Sequence, residues 1–111
     1  MPNHMWMNED HLAFADTVKR FFDEEVTPNK DAWTEAGVIP KSLWKKAGEL
    51  GILGATFPEE HSGLGLSRHF DAVTFLEQTK AGDSGWGVSV HNIAAHYITA
   101  FGTDEQKARW L

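Results

Sequence analysis

The densest run of residues that could do chemistry is PEEHSGLGLS, residues 58–67, with two acids, a histidine and two glycines. Gly63 and Gly65 match the first half of a dinucleotide fingerprint, where glycines let the backbone approach a diphosphate. The third glycine would fall at position 68, where Arg68 stands, and no strand-like run leads into the turn. No lysine follows in the phosphate-loop position. Glu59 and Glu60 are neighbours, so helix or strand geometry points them apart and they are badly placed to share one substrate. The stretch reads as a glycine-rich structural turn.

Six histidines raise the question of a metal. His91 and His96 are five residues apart, which turns them to different faces of a helix, unlike the i, i+4 spacing of helical zinc sites. His4, His11, His61 and His69 have no clustered acidic or histidine partner at ligand spacing, so no metal is expected. A serine hydrolase needs a G-x-S-x-G elbow, and none occurs. In GVSVHN, residues 87–92, Ser89 and His91 are too close in sequence to face each other on a helix. Five tryptophans could stack a ligand, but Trp44 falls on a core stripe.

The elements that would position these residues read as helices. Leu12, Ala15, Val18, Phe22 and Val26 have the spacing of one helical face. Asn8 is placed to cap that helix, Glu9 and Asp10 suit its first turn, and Pro28 is expected to end it. A second helix is expected from Pro40 to Leu50, burying Leu43, Trp44, Ala47 and Leu50, with Gly51 as its terminator. Residues 51–66 resist any helical period and should form an irregular loop. A third helix should start after Ser67 as N-cap and carry Phe70, Val73, Leu76 and Glu77 toward Lys80. Trp86, Val90, Ile93, Ala94, Tyr97, Ile98 and Phe101 make a broad stripe on a fourth, stopped by Gly102. Thr103 and Gln106 form a capping box for a fifth. Trp110 and Leu111, two large apolar residues at the end of that helix, lead us to expect the front part of a longer protein.

Composition bounds the rest. The chain has 111 residues, 41% hydrophobic and 23% charged, which suits one modest soluble domain. Its net charge of −6, with ten dispersed Lys and Arg, argues against a nucleic-acid surface. No apolar run approaches the ~20 residues of a membrane span, and the N-terminus lacks the pattern of a secretory signal. Without cysteine there is no disulfide, thiolate catalysis or cysteine-held metal. A soluble cytoplasmic protein is the default.

Three separated phrases carry a family resemblance. FFDEEVTPNKDAW (21–33) resembles the first-helix ending of the acyl-CoA dehydrogenases. LWKKAGELGILGATFPEEHSGLG (43–65) looks like the family's E-x-G-x-L-G helix end followed by P-E-E-Y-G-G-x-G. FGTDEQKARWL (101–111) is similar to F-G-x-x-E-Q-K-x-x-[YW]-L. Together, in order, they resemble the N-terminal helical domain of that family from Asn8 to Leu111. His61 stands for the usual tyrosine and Ser62 for the usual glycine. GWGVSVHN followed by HYITAFG most resembles the long-chain members.

The resemblance implies an all-α domain of about five helices, residues 1–111, to be followed by a middle β-domain and a C-terminal four-helix bundle. It implies α,β-dehydrogenation of an acyl-CoA thioester: a glutamate takes the α proton, FAD takes the β hydrogen as hydride, and an electron-transfer flavoprotein accepts the electrons. Family members of this kind are expected to be homo-oligomers. The base and most of the FAD site are expected beyond Leu111, so the 111-residue chain alone should be inactive and hold no FAD. Its implied contribution is one wall of the acyl pocket, at Gly85, Trp86, Ser89 and Ile93, which would lie on one helical face. Trp86 and Ile93 read equally well as plain core. A free-standing helical module that binds a partner protein, or a family member doing oxidase or monooxygenase chemistry, are the alternatives.

Overall fold

The computed structural model describes residues 5–61 and 63–111; His4 and Ser62 lie outside them. The described residues are helical and contain no strand. The helices are α1 (Glu9–Phe21), α2 (Lys30–Ala36), α3 (Lys41–Glu49), α4 (His69–Lys80), α5 (Val88–Phe101) and α6 (Asp104–Trp110). The five expected from sequence are present, and α2 is an additional short one. They form a slab of 39 × 38 × 19 Å, about two helix diameters thick.

Asn8 caps α1 as expected. Its side chain accepts from the His11 N–H at 3.0 Å, and His11 Nδ1 accepts from the Asn8 N–H at 3.0 Å. Val18, Phe22 and Val26 are buried as the stripe suggests and Ala15 is half-buried, but Leu12 is exposed, and His11 and Phe21 are buried in addition. The cause is packing of α1 on α4, where the His11 ring lies 4.7 Å from Phe70, with Trp6 from the segment before α1 at 5.5 Å.

Pro28 does not end the helical path. A π-turn over Phe22–Val26 and a 3₁₀ turn over Thr27–Asn29 carry the chain on into α2. Pro28 sits in the first turn of the 3₁₀ segment, where its missing N–H costs little. The Asn29 side chain donates to the Glu25 carbonyl at 2.9 Å, satisfying an acceptor in the distorted turn. Gly37, at φ 75°, then stops α2.

Helix α3 ends as its glycine suggests. The Ile52 N–H bonds the Ala47 carbonyl at 2.9 Å and the Gly51 N–H bonds Gly48 at 3.1 Å, a Schellman closure. Leu43 and Ala47 are buried, Trp44 is half-buried, and Leu50 is exposed rather than core because the closure turns the chain at that point. Ser67 does not cap α4. Arg68 occupies the cap in helical geometry without a side-chain bond, and Ser67 contributes only its carbonyl, to the Phe70 N–H.

Residues 51–61 and 63–66 form the irregular loop expected, with one 3₁₀ turn at Glu59–His61. Its amides are spent internally: Leu64 bonds Gly54, Gly65 bonds Phe57 and Leu66 bonds Ala55. Gly63 lies against the Phe57 backbone, where a Cβ would come within 2.2 Å of the carbonyl oxygen.

The core joins α1, the π-turn, α3 and the start of α5 through Val18, Phe21, Phe22, Val26, Leu43, Ala47, Ile52, Trp86 and Val88.

Candidate functional site

The segment Gly82–Ile93 is the candidate site, and its geometry begins at the end of α4. Gly82, at φ 71°, closes that helix, with the Asp83 N–H bonding the Gln78 carbonyl at 3.1 Å. Asp83 then folds the next turn: Oδ1 accepts from the Gly85 N–H at 3.2 Å and Oδ2 from the Trp86 N–H at 3.3 Å. Gln78 Nε2 braces both sides, donating to Asp83 Oδ2 and to the Trp86 carbonyl, each at 2.9 Å. From α2, Lys30 Nζ donates to the Gly82 carbonyl at 2.9 Å. Asp83, Gln78 and Lys30 were not singled out from sequence; the Asp-Ser-Gly turn of residues 83–85 was the signal that could have found Asp83.

This bracing separates the four expected wall residues. Helix α5 begins only at Val88, so Gly85 and Trp86 lie on the preceding turn and do not share a helical face with Ser89 and Ile93. Trp86 points inward: it is 2% exposed, with its ring 5.3 Å from Phe21, 5.8 Å from Phe22 and 5.2 Å from Trp44. It is core. Ile93 is not, being 56% exposed, and Ser89 and Gly85 are exposed as well.

The reason is the way α5 is rolled. Val88, Asn92 and Ala95 face inward, leaving Val90, Ile93, Tyr97 and Phe101 open. The broad apolar stripe of α5 thus points away from the domain's own core. Gly102 ends the helix in extended geometry, at φ −72°, and a Cβ there would come within 2.5 Å of the Ile98 carbonyl, so the close approach requires glycine. Thr103 and Gln106 make the reciprocal cap of α6 at 3.2 and 2.9 Å.

Gly85 and Gly87 line a pocket of about 540 Å³, walled by Trp33, Val38 and Trp44. Ser89 and Ile93 belong to the open face of α5, not to that pocket. His91 stacks on Phe57 at 6.0 Å and touches Trp44 at 5.6 Å. Among the described residues no three His, Asp or Glu side chains come together as a metal set. His96 has a partner that spacing did not reveal, Asp71 on α4 at 3.5 Å.

Residues 8–111 match the family described as "Acyl-CoA dehydrogenase, N-terminal domain". The chain belongs to this family. The acyl-CoA dehydrogenase fold is matched by a crystal structure of an acyl-CoA dehydrogenase from Geobacillus kaustophilus, with TM-score 0.89 and 33% identity over 97% of this chain and 29% of that one. Long-chain specific acyl-CoA dehydrogenase, mitochondrial, from Rattus norvegicus is 40% identical over 94% of this chain and 24% of its own length. (2S)-methylsuccinyl-CoA dehydrogenase from Cereibacter sphaeroides is 36% identical over 95% of this chain and 20% of its own. The chain spans between a fifth and a quarter of the length of these curated relatives. No described helix is long and apolar enough to cross a membrane.

Proposed function

We propose that this chain is the N-terminal helical part of an FAD-dependent acyl-CoA dehydrogenase, oxidising acyl-CoA thioesters to their α,β-unsaturated products in fatty-acid or related acyl catabolism. In this reading Ser89 and Ile93 on the open face of α5 contribute to one wall of the acyl pocket, with Gly85 on the turn before it and Trp86 supporting that turn from the core. The observation that carries it is the outward apolar face of α5 beside small residues. Such a surface suits an acyl chain, which gains about 0.8 kcal/mol for each methylene removed from water. An electron-transfer flavoprotein as acceptor and a homo-oligomeric enzyme complete the reading.

FAD would be held mainly by residues outside this chain. The glycine turn at 63–65 does not fit a flavin diphosphate, because the N–H groups of Gly63, Leu64 and Gly65 bond carbonyls within the loop. The base that takes the α proton is likewise assigned beyond Leu111. The role proposed for residues 1–111 is to shape and dry the path of the acyl tail.

The test is a chain-length profile of the full-length protein. Ser89→Trp should cut kcat/KM for long acyl-CoAs at least tenfold more than for short ones, since filling a pocket discriminates by about 10- to 200-fold. An unchanged profile would remove Ser89 and Ile93 from the wall, and no flavin bleaching by any acyl-CoA would remove the dehydrogenase reading itself.

A further inference from the structure

Thr56, Asp71 and His96 join three separate elements: the irregular loop, α4 and α5. Thr56 Oγ1 donates to Asp71 Oδ2 at 3.0 Å. The hydroxyl oxygen is therefore left to accept, which puts a proton on His96 Nε2, 3.2 Å away. The same Nε2 lies 3.5 Å from Asp71 Oδ2. Asp71 is buried, while the His96 side chain keeps 28% of its surface open and can exchange protons with solvent.

We propose that this triad is a pH-sensitive tie, in which protonation of His96 tightens the hold of α4 and α5 on the loop through Thr56, and deprotonation loosens it. Neutral imidazole with its proton on Nε2 keeps the hydrogen bond, so the tie weakens without breaking. Protonation adds a full charge opposite a carboxylate in a poorly solvated place, where the attraction is screened little. Histidine is the side-chain type whose charge ordinarily changes between about pH 5 and 8, so pH 6 and pH 8 are the conditions to compare. The other charged groups acting on Asp71 are Arg68, at the N-terminal side of α4, and His91 on α5. His91 is the second imidazole near Asp71, and the experiment separates it from His96. The loop contributes a neutral hydroxyl.

The experiment is amide hydrogen exchange on the full-length protein at pH 6 and pH 8, corrected for intrinsic rates, read at Leu64 and Leu66 in the loop. Protection there should be about fivefold higher at pH 6, as expected for an ion pair contributing about 1 kcal/mol. Val18 and Phe21 in α1 should show no such change, which separates a local tie from global stability. His96→Gln keeps a donor without the charge and should abolish the pH effect, while His91→Gln should leave it in place. Should His96→Gln fail to fold, Thr56→Val serves instead and should also abolish the effect, by cutting the loop from the pair. A pH effect that survives His96→Gln or Thr56→Val, one lost only in His91→Gln, or none in the unaltered protein would overturn the proposal.

Discussion

Trp44 on α3 and Trp86 on the turn before α5 meet with ring centroids 5.2 Å apart and planes at 56°, so the residue expected on a pocket wall is a keystone of the core. Trp86 also contacts Phe21 and Phe22, and its burial ties the turn to α1 and the π-turn. Trp86→Ala should therefore act on stability before it acts on any substrate. The expected loss is about 3–5 kcal/mol in urea unfolding, the range for a large aromatic truncated in a packed core. Trp86→Phe should cost less, because it also removes an indole N–H that is buried without a partner. A Trp86→Ala protein of unaltered stability would return Trp86 to the pocket.

Gly63 and Gly87 should differ sharply. Alanine at Gly63 would bring its Cβ within 2.2 Å of the Phe57 carbonyl, and a backbone oxygen cannot rotate away. Gly63→Ala should cost about 2 kcal/mol or more, as overpacking commonly does. At Gly87, with φ −80°, a Cβ meets nothing within 4 Å, so Gly87→Ala should stay within about 0.5 kcal/mol of the parent. Thermal unfolding of the two variants side by side checks the contrast.

What could be read from the sequence was local, and what could not was set by partners distant along the chain. Asn8, Gly51, and Thr103 with Gln106 act within a few residues of themselves, and all perform as their types suggest. Pro28 misled because a proline is compatible with the first turn of a new helical segment, and nothing local announces the π-turn that precedes it. The α5 stripe was legible as a stripe, but periodicity cannot say whether such a face meets its own core or lies open. Inward burial of Val88, Asn92 and Ala95 decided that. Asp71 and His96 are 25 residues apart and their meeting depends on where the tertiary fold places α4 and α5, which no spacing rule encodes.

Asp71 should leave a signature in acid. Burial raises its carboxyl above the ordinary value of 3.8, opposed by the Thr56 hydrogen bond and by the charges of His96, Arg68 and His91. An acid raised in the folded state gives stability that is fully present below its unfolded value and lost as pH rises through the folded one. As pH rises from below the ordinary carboxyl value of 3.8 through the raised folded one, stability should shift in favour of Asp71→Asn. Urea unfolding of both proteins across that window checks the sign. A shift favouring the parent would mean that its partners outweigh burial.

The outward face of α5 separates what the domain needs to fold from what it needs to work. Ile93 is 56% exposed and Phe101 81% exposed, with Val90 and Tyr97 beside them. A charge placed there desolvates nothing within this domain, so Ile93→Lys should change the unfolding free energy of the 111-residue chain by no more than about 0.5 kcal/mol. In the enzyme proposed above, the same lysine would stand against an acyl chain or against a covering part of the molecule, where an unpaired buried charge is costly. Acyl-CoA turnover should then fall at least tenfold, with long substrates hit hardest if the face lines the pocket. A uniform loss across chain lengths would assign Ile93 to a contact with the rest of the protein. Full activity with every substrate would leave the α5 stripe without the role proposed for it.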